Sequence, residues 1–334
     1  MEDFVLYKLP QQTTFQFIKG RFEPVPIDHI EQTTGGFVFS NFNSNNSCFF
    51  LKDKPKSTVP TNLESFLIQV LPYTQSSIDS ESHFQIIVNK AKQLMNAKDA
   101  PFKKVVLANQ KFIAYKENYV TLFLKLCEQY PNAFCYLCYS NLFGAWIGAS
   151  PELLIEQINP IQFRTVSLAG TLTSKIAVWS AKERNEQQLV TDFIANKLTQ
   201  SNFNYELSEQ NEIKVGILKH LISEFNITPS NAAAQNLTQL VSILHPTPAV
   251  AGLPRENALS FIAMNEGFER NLYAGFFGII TDNYARINVN LRCAQLFSNG
   301  LLLYAGAGIT ADSDAQLEWQ ETQNKMKVIA SLLY

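Results

Sequence analysis

The sequence predicts an α+β protein, with a large, mainly antiparallel β-sheet core and helices packed outside it. Three observations predict this class. Short apolar runs with turns between them recur from Phe102 onward and read as strands. Asp282-Asn283 and Asn299-Gly300 read as tight hairpin turns, which imply antiparallel pairing. Helical stretches with capping signals lie between the strand groups, and each has an apolar stripe to lay on a sheet. No internal repeat and no low-complexity tract interrupts the pattern.

The chain has 334 residues, enough for one large domain or two and a sizeable core. Hydrophobic content of 46% and charged content of 17% describe an ordinary soluble globular protein. Lys+Arg 27 against Asp+Glu 29 leaves a net charge of −2, so nothing favours nucleic acid or an anionic membrane as partner. Met1 to Pro10 has no basic n-region and no long apolar run. No stretch approaches the ~18 apolar residues of a membrane span. A cytoplasmic protein is expected. The five cysteines are odd in number and widely spaced, which fits a reducing compartment better than a disulfide framework. Cys135 and Cys138 form a C-x-x-C without two further ligands at zinc spacing, inside the strand-like 133-AFCYLCY-139, and read as packing residues.

The elements follow in order. In residues 1–75 the alternating 13-TTFQFI-18 and 36-GFVFSNF-42 suggest strands, 43-NSNNS-47 a loop, and Lys54 to Tyr73 a connection. Ile78 to Ala97 reads as a helix, with Phe84, Ile87, Val88, Ala91 and Leu94 on one stripe. Val105 to Tyr115 is a core strand and Val120 to Gln129 a short helix. Ala133 to Tyr139, Ala145 to Gly148, Glu152 to Gln157 and Gln162 to Ala169 are further strands. Ser180 and Glu183 form a capping box that opens a helix to Leu198. Residues 201–235 are polar, mixed and carry no clear period. Arg255 to Glu266 is a helix. Ala274 to Thr281, Arg286 to Phe297 and Leu301 to Tyr304 are strands joined by the two hairpin turns.

The end of the chain reads as strand, glycine turn, helix. Gly306 and Gly308 allow backbone to approach a ligand, and Ser313 with Gln316 makes a capping box. Leu317, Glu321 and Val328 fall on one side of the following helix, and Glu318 points roughly the same way as Glu321. Two carboxylates one turn beyond an anion cradle suggest a hard metal beside an anionic substrate. The alternative is a solvated face with a Glu321–Lys325 i,i+4 pair. Gly306, Gly308 and Ala311 also satisfy G-x-G-x-x-A, but no following parallel strand is present, so a dinucleotide site is set aside.

Other polar residues stand where a core pattern does not want them. Glu186 heads the row Glu186, Val190, Phe193; it needs a partner, or it serves the helix dipole. Arg292 lies in an apolar strand and either binds an anion or faces water from an edge. Lys104 precedes 105-VVLA-108, and Glu152 follows the tight 148-GASP-151. His245 begins the proline-rich 244-LHPTPAVAGLP-254.

Taken together, these segments carry a resemblance. The chain resembles the chorismate-utilising enzymes, and within them the isochorismate synthases. The carriers are 103-KKVVLA-108, 145-AWIGASPELL-154, 168-LAGT-171, 182-KERNEQQLV-190, 244-LHPTPAVAGLPRE-256, 272-LYAGFFG-278, 289-VNLRCA-294, 303-LYAGAGI-309 and 318-EWQETQNK-325. They cover roughly residues 80–334, long and in order. Residues 1–75 look like a shortened variable N-terminal part, integrated into the same fold, and 76–334 like the chorismate-binding catalytic domain.

The resemblance implies chorismate as substrate and Mg²⁺ as cofactor. Water adds at one ring carbon, hydroxyl leaves another, and the double bonds shift. Lys104 takes the general-base position and Glu152 the general-acid position. A lysine base must be neutral, and a glutamic acid must keep its proton near neutral pH, which a dry pocket favours. Glu186 and Glu321 take the positions of direct Mg²⁺ ligands, and Glu318 that of a ligand through water. Arg292, Tyr273 and backbone near Gly306 and Gly308 would hold the enolpyruvyl carboxylate. Lys325 would add charge, Gly170 and Thr171 backbone, and His245 would sit beside the ring. The product would feed menaquinone or siderophore biosynthesis. No glutaminase subunit is expected, because 167-SLAGT-171 departs from the motif of the aminating relatives. A monomer is expected. Asn109 and Gln187 stand where the family often has Arg and His. A salicylate synthase, and a non-catalytic anion-binding relative, remain the alternative readings.

Overall fold

A computed structural model describes residues 2–33, 35–43, 46–57, 63, 70–74, 80–173, 178–215, 218–230 and 236–334. The expected loop at 43–47, the connection at 54–73, the first helix's start at Ile78 and the 75/76 boundary fall partly or wholly outside these residues.

The N-terminal strands are β1 (Asp3–Lys8), β2 (Gln16–Gly20), β3 (Phe22–Pro26), β4 (Gly36–Phe39) and β5 (Ser47–Lys52). Helix α1 (Ser80–Met95), strand β6 (Lys104–Ala114) and helix α2 (Tyr119–Gln129) follow. Then come β7 (Phe134–Ser140), β8 (Gly144–Ser150), β9 (Leu153–Asn159), β10 (Gln162–Thr173) and α3 (Ala181–Gln200). The next group is β11 (Phe203–Leu207), β12 (Asn211–Val215), β13 (Leu218–Pro229), α4 (Asn236–Leu244), β14 (Gly252–Leu253) and α5 (Arg255–Asn265). The chain closes with β15 (Phe276–Ile280), β16 (Ala285–Val289), β17 (Cys293–Phe297), β18 (Gly300–Ile309) and α6 (Ala315–Ala330).

These strands form two sheets, and every pairing is antiparallel. One sheet runs β14-β6-β18-β17-β8-β7-β1-β2. The other runs β11-β13-β10-β9-β16-β15-β4-β5-β3, with β12 on β13. The expected α+β class is what the chain adopts. The two sheets share a core of aromatic and β-branched side chains, in which Phe37, Phe39, Phe134, Tyr136 and Phe277 meet edge-on, tilted or stacked. The first fifty residues supply strands to both sheets. Cys135 and Cys138 are both buried and unbridged, as packing residues would be.

Four expectations about elements need correction. Arg286 to Phe297 is two strands: β16 ends at Val289 in one sheet, and β17 starts at Cys293 in the other. Arg292 sits between them with φ 50, a left-handed turn that a continuous strand could not contain. Strand β18 does not stop at Tyr304 but runs to Ile309, so Gly306 and Gly308 lie within a strand paired to β6 and make no turn. Residues 201–235 include three strands. On β13 the row Leu221, Ser223, Phe225, Ile227 faces inward, an alternation diluted by polar neighbours.

The last helix is also rotated from its expected setting. Asp314, not Ser313, is its N-cap, and accepts from Leu317 N–H at 2.9 Å. Gln316 bonds Gln85 on α1 at 2.6 Å and so closes no capping box. Leu317 is 68% exposed, while Glu318, Thr322, Met326 and Ile329 form the buried row. A rotation of one residue about the axis turns Leu317 to solvent and Glu318 inward. The capping bond at α3 does form, from Ser180 N–H to Glu183 Oε2 at 2.9 Å.

Candidate active site

The chain twice passes from one sheet to the other at neighbouring points. The first passage is Pro151–Glu152, between β8 and β9; the second is Asn290–Arg292, between β16 and β17. β8 pairs with β17 and β9 with β16, so the two passages lie side by side. A cleft opens there. It is lined by Glu152 and Arg292, by Val106 of β6, by Tyr304, Ala305, Gly306 and Gly308 of β18, and by Glu186, His220, Tyr273 and Lys325.

Each polar side chain has a local reason for its place. β17 pairs with β18 only from Gly300 to Leu303, so beyond Leu303 that edge of β18 is bare and can face the cleft. Lys325 Nζ donates to Gly306 O at 2.8 Å and pairs with Glu321 Oε1 at 2.6 Å. Thus the i,i+4 pair is formed, and its lysine also lines the cleft. Gly308 has no room for a side chain: a Cβ there would run into the Glu186 carboxylate and come within 3.1 Å of Lys104 Cε. Glycine is required at this position by close approach, not by a turn.

Lys104 is the first residue of β6 and has 0% exposure. Its Nζ lies 3.0 Å from Glu186 Oε1, at an angle that makes no aligned hydrogen bond. Glu186 faces inward from the first turns of α3, above Val190 and Phe193, as its row requires. Glu152 is 6% exposed. Burial pushes its carboxyl up to about 7, against the opposing pull of Arg292, Lys104 and Lys325. Arg292 is partly exposed and makes no ion pair among the described residues. Tyr273 is buried, and stacks on Tyr304 with ring centroids 5.4 Å apart.

His245 does not take the part expected of it. His245 is buried in its proline-rich loop, with its ring edge-on to Phe276 at 5.1 Å, and does not line the cleft; Ala249 and Val250 of the same loop do. His220 of β13 lines it instead. Gly170 has φ +70 at a bulge in β10, and its carbonyl lies 2.9 Å from His220 Nδ1. A carbonyl only accepts, so Nδ1 carries the proton. Burial and the nearby Arg292 push the imidazole down to about 3, so it is neutral with Nε2 as an acceptor. His220 stands in 218-LKHLISEF-225, out of phase with the buried row Leu221, Ser223 and Phe225, so the alternation gave no signal for it. The side chain of Thr171 lies outside the described residues; its backbone continues β10 past Gly170.

The carboxylates of Glu186, Glu318 and Glu321 come from two helices, α3 and α6. Glu318 is 1% exposed, one turn from Glu321. All three offer hard oxygen donors, the kind that Mg²⁺ takes. Among the described residues no three acidic, His or Cys side chains close into a metal cage, and Glu186 and Glu321 are each balanced by a lysine. The donor chemistry fits a hard divalent cation, provided that the two lysine pairs loosen.

A buried glutamic acid lines the cleft beside an arginine without an ion pair among the described residues, and the buried Lys104 lies 3.0 Å from the cleft-lining Glu186, which defines an enzyme-like site for a small anion. The family follows from comparison: residues 52–334 match the model of the chorismate binding enzymes, and the chain belongs to that family. Isochorismate synthase MenF of Escherichia coli is 32% identical over 243 residues, covering 69% of this chain and 56% of that protein. A chloroplastic isochorismate synthase of Catharanthus roseus is 28% identical over 275 residues, covering 78% and 47%. The chain thus spans about half the length of the curated relatives it matches. In fold it is similar to the solved structure of MenF, the menaquinone-specific isochorismate synthase of Escherichia coli, with TM-score 0.80 and 21% identity, covering 100% of this chain and 89% of that one. Against anthranilate synthase component I of Streptococcus pneumoniae the TM-score is 0.68 at 18% identity, covering 98% and 89%. No helix among the described residues is long and apolar enough to cross a membrane.

Proposed function

We propose that this chain is an isochorismate synthase, an isomerase that converts chorismate to isochorismate. The observation that carries the reading is the buried Glu152 in one cleft with Arg292 and Glu186, with the buried Lys104 behind the cleft wall, its Nζ 3.0 Å from Glu186 Oε1. A binding module needs an arginine but has no use for a base and an acid together. Glu152, pushed up to about 7, holds a proton that it can give near neutral pH.

The roles follow from position. Lys104, as the base, takes a proton from water as the water oxygen bonds to one ring carbon. The ring double bonds shift, and the hydroxyl on another carbon departs with the proton of Glu152. Water enters and water leaves, so the product is an isomer of the substrate. Arg292 and Tyr273, with the bare edge of β18 at Gly306 and Gly308, hold the enolpyruvyl carboxylate; Lys325 adds positive charge. His220 accepts a hydrogen bond beside the ring through Nε2. Glu186 and Glu321, with Glu318 through water, would hold Mg²⁺, which when bound supplies positive charge for the ring carboxylate. The nucleophile is water, so no glutaminase partner is required. Residues 76–334 carry this chemistry, and residues 1–75 complete the fold.

The experiment uses Lys104→Ala and Glu152→Gln with chorismate and, separately, with isochorismate. Each variant should lose ~10²- to 10⁴-fold in kcat in both directions while staying folded, because base and acid exchange roles on reversal. A variant crippled forward but normal in reverse would break the paired assignment.

A further inference from the structure

Beside the cleft lies a second cavity that the hydroxyl exchange does not use. Tyr304 lines both. The walls of the second include Tyr73, Phe84, Phe112, Phe268 and Asn109. It follows one edge of β6. β14 pairs with β6 only at Lys104 and Val105, so from Ala108 to Phe112 that edge has no strand beside it among the described residues.

Two N–H groups along this edge have side-chain partners, and one buried side-chain donor among the described residues has none. Ala108 N–H donates to Glu266 Oε1 at 2.7 Å, and Arg270 holds the same carboxylate through Nε at 2.8 Å. Gln110 N–H donates to Asn109 Oδ1 at 2.8 Å, so the Asn109 carboxamide folds back over the edge of its own strand. Asn109 is 4% exposed, and its Nδ2 has no hydrogen-bond partner among the described residues. A buried amide donor left unmet is costly, and an acceptor placed in the cavity would recover that cost.

The walls say what shape the acceptor's carrier has. Tyr73 stacks on Phe112 with centroids 4.6 Å apart and planes at 12°, and Phe297 meets Tyr73 edge-on at 5.1 Å. Flat faces of this kind suit a flat ring. Lys111 and Glu269 are exposed on the rim with opposite charges, so the rim selects neither sign.

We infer that this cavity is a second small-molecule site, which binds a flat aromatic molecule through a carbonyl or carboxylate oxygen that accepts from Asn109 Nδ2–H. The site is independent of the catalytic reading. The test is a ligand-observed NMR titration of the full chain with 2-naphthamide, whose carbonyl is an acceptor, and with 2-naphthylmethylammonium, which has none. The amide should bind saturably at roughly millimolar concentration or below, and the ammonium at least about fivefold more weakly. Asn109→Leu should weaken the amide about tenfold. Asn109→Asp keeps the size and removes the same donor, and should do likewise if the leucine variant does not fold. Arg292→Ala should leave amide binding unchanged, which places it outside the cleft. Absence of saturable binding, binding that survives both Asn109 variants, or binding lost with Arg292→Ala would overturn the inference. The titration reads binding and not turnover, so its failure leaves the hydroxyl exchange untouched.

Discussion

Glu152 is the residue whose environment says most. It is buried at a sheet-to-sheet passage, and its proton is held to about 7 against an ordinary 4.5. The folded state therefore binds this proton more tightly than the unfolded chain does. Stability is lost as pH rises between those two values and stays lost above them. Glu152→Gln removes that loss. The variant's melting temperature, relative to wild type, should be higher at about pH 8 than at about pH 4.5; a difference independent of pH would mean that the carboxyl is solvated. In the proposed mechanism the protonated form is the working acid, so wild-type kcat/KM should fall as pH passes upward through about 7. Arg292 calls for a different measurement. Its guanidinium has no ion pair among the described residues, so Arg292→Ala should raise KM for chorismate by about ten- to a hundredfold with little change in melting point. Unchanged KM and kcat would make it a surface residue.

At the scale of elements, Gly306 and Gly308 of β18 show how much the sequence revealed and where it fell short. Their importance was readable from composition, but the reason was not. A strand with two glycines looks like a turn, because the partner strand β6 that keeps it extended lies almost two hundred residues earlier. Gly308→Ala should leave the fold intact, since the atoms in its way are the ends of Glu186 and Lys104. Those ends are the proposed machinery, so kcat should fall about 10- to 100-fold. Gly275→Ala is the contrast: its Cβ would strike the backbone carbonyl of Ser40, and the cost should appear as roughly 1–3 kcal/mol of lost stability, measured by denaturant titration. Equal loss of stability in both would remove the distinction. Lys104, Glu152, Glu186 and Arg292 were legible because each breaks an apolar pattern. His220 was not, because its strand alternates with charged neighbours, and a histidine followed by prolines drew attention to His245 instead. The sense of α6 was missed because a one-residue rotation exchanges Leu317 for Glu318, and only packing against α1 and β18 decides it.

At the scale of the whole molecule, the central claim is that two sheets part at their crossing points to form a chamber for hydroxyl exchange. In the proposed reading the acids on α3 and α6 would take a cation in place of the lysines beside them. With excess EDTA, turnover should cease and return on adding Mg²⁺. The most direct test is chromatographic analysis of the products after incubation with chorismate and Mg²⁺. The account requires isochorismate as the released product, formed as chorismate disappears, with little salicylate at neutral pH. Salicylate formed at the rate of chorismate loss, without an added lyase, or no turnover of chorismate at all, would contradict it.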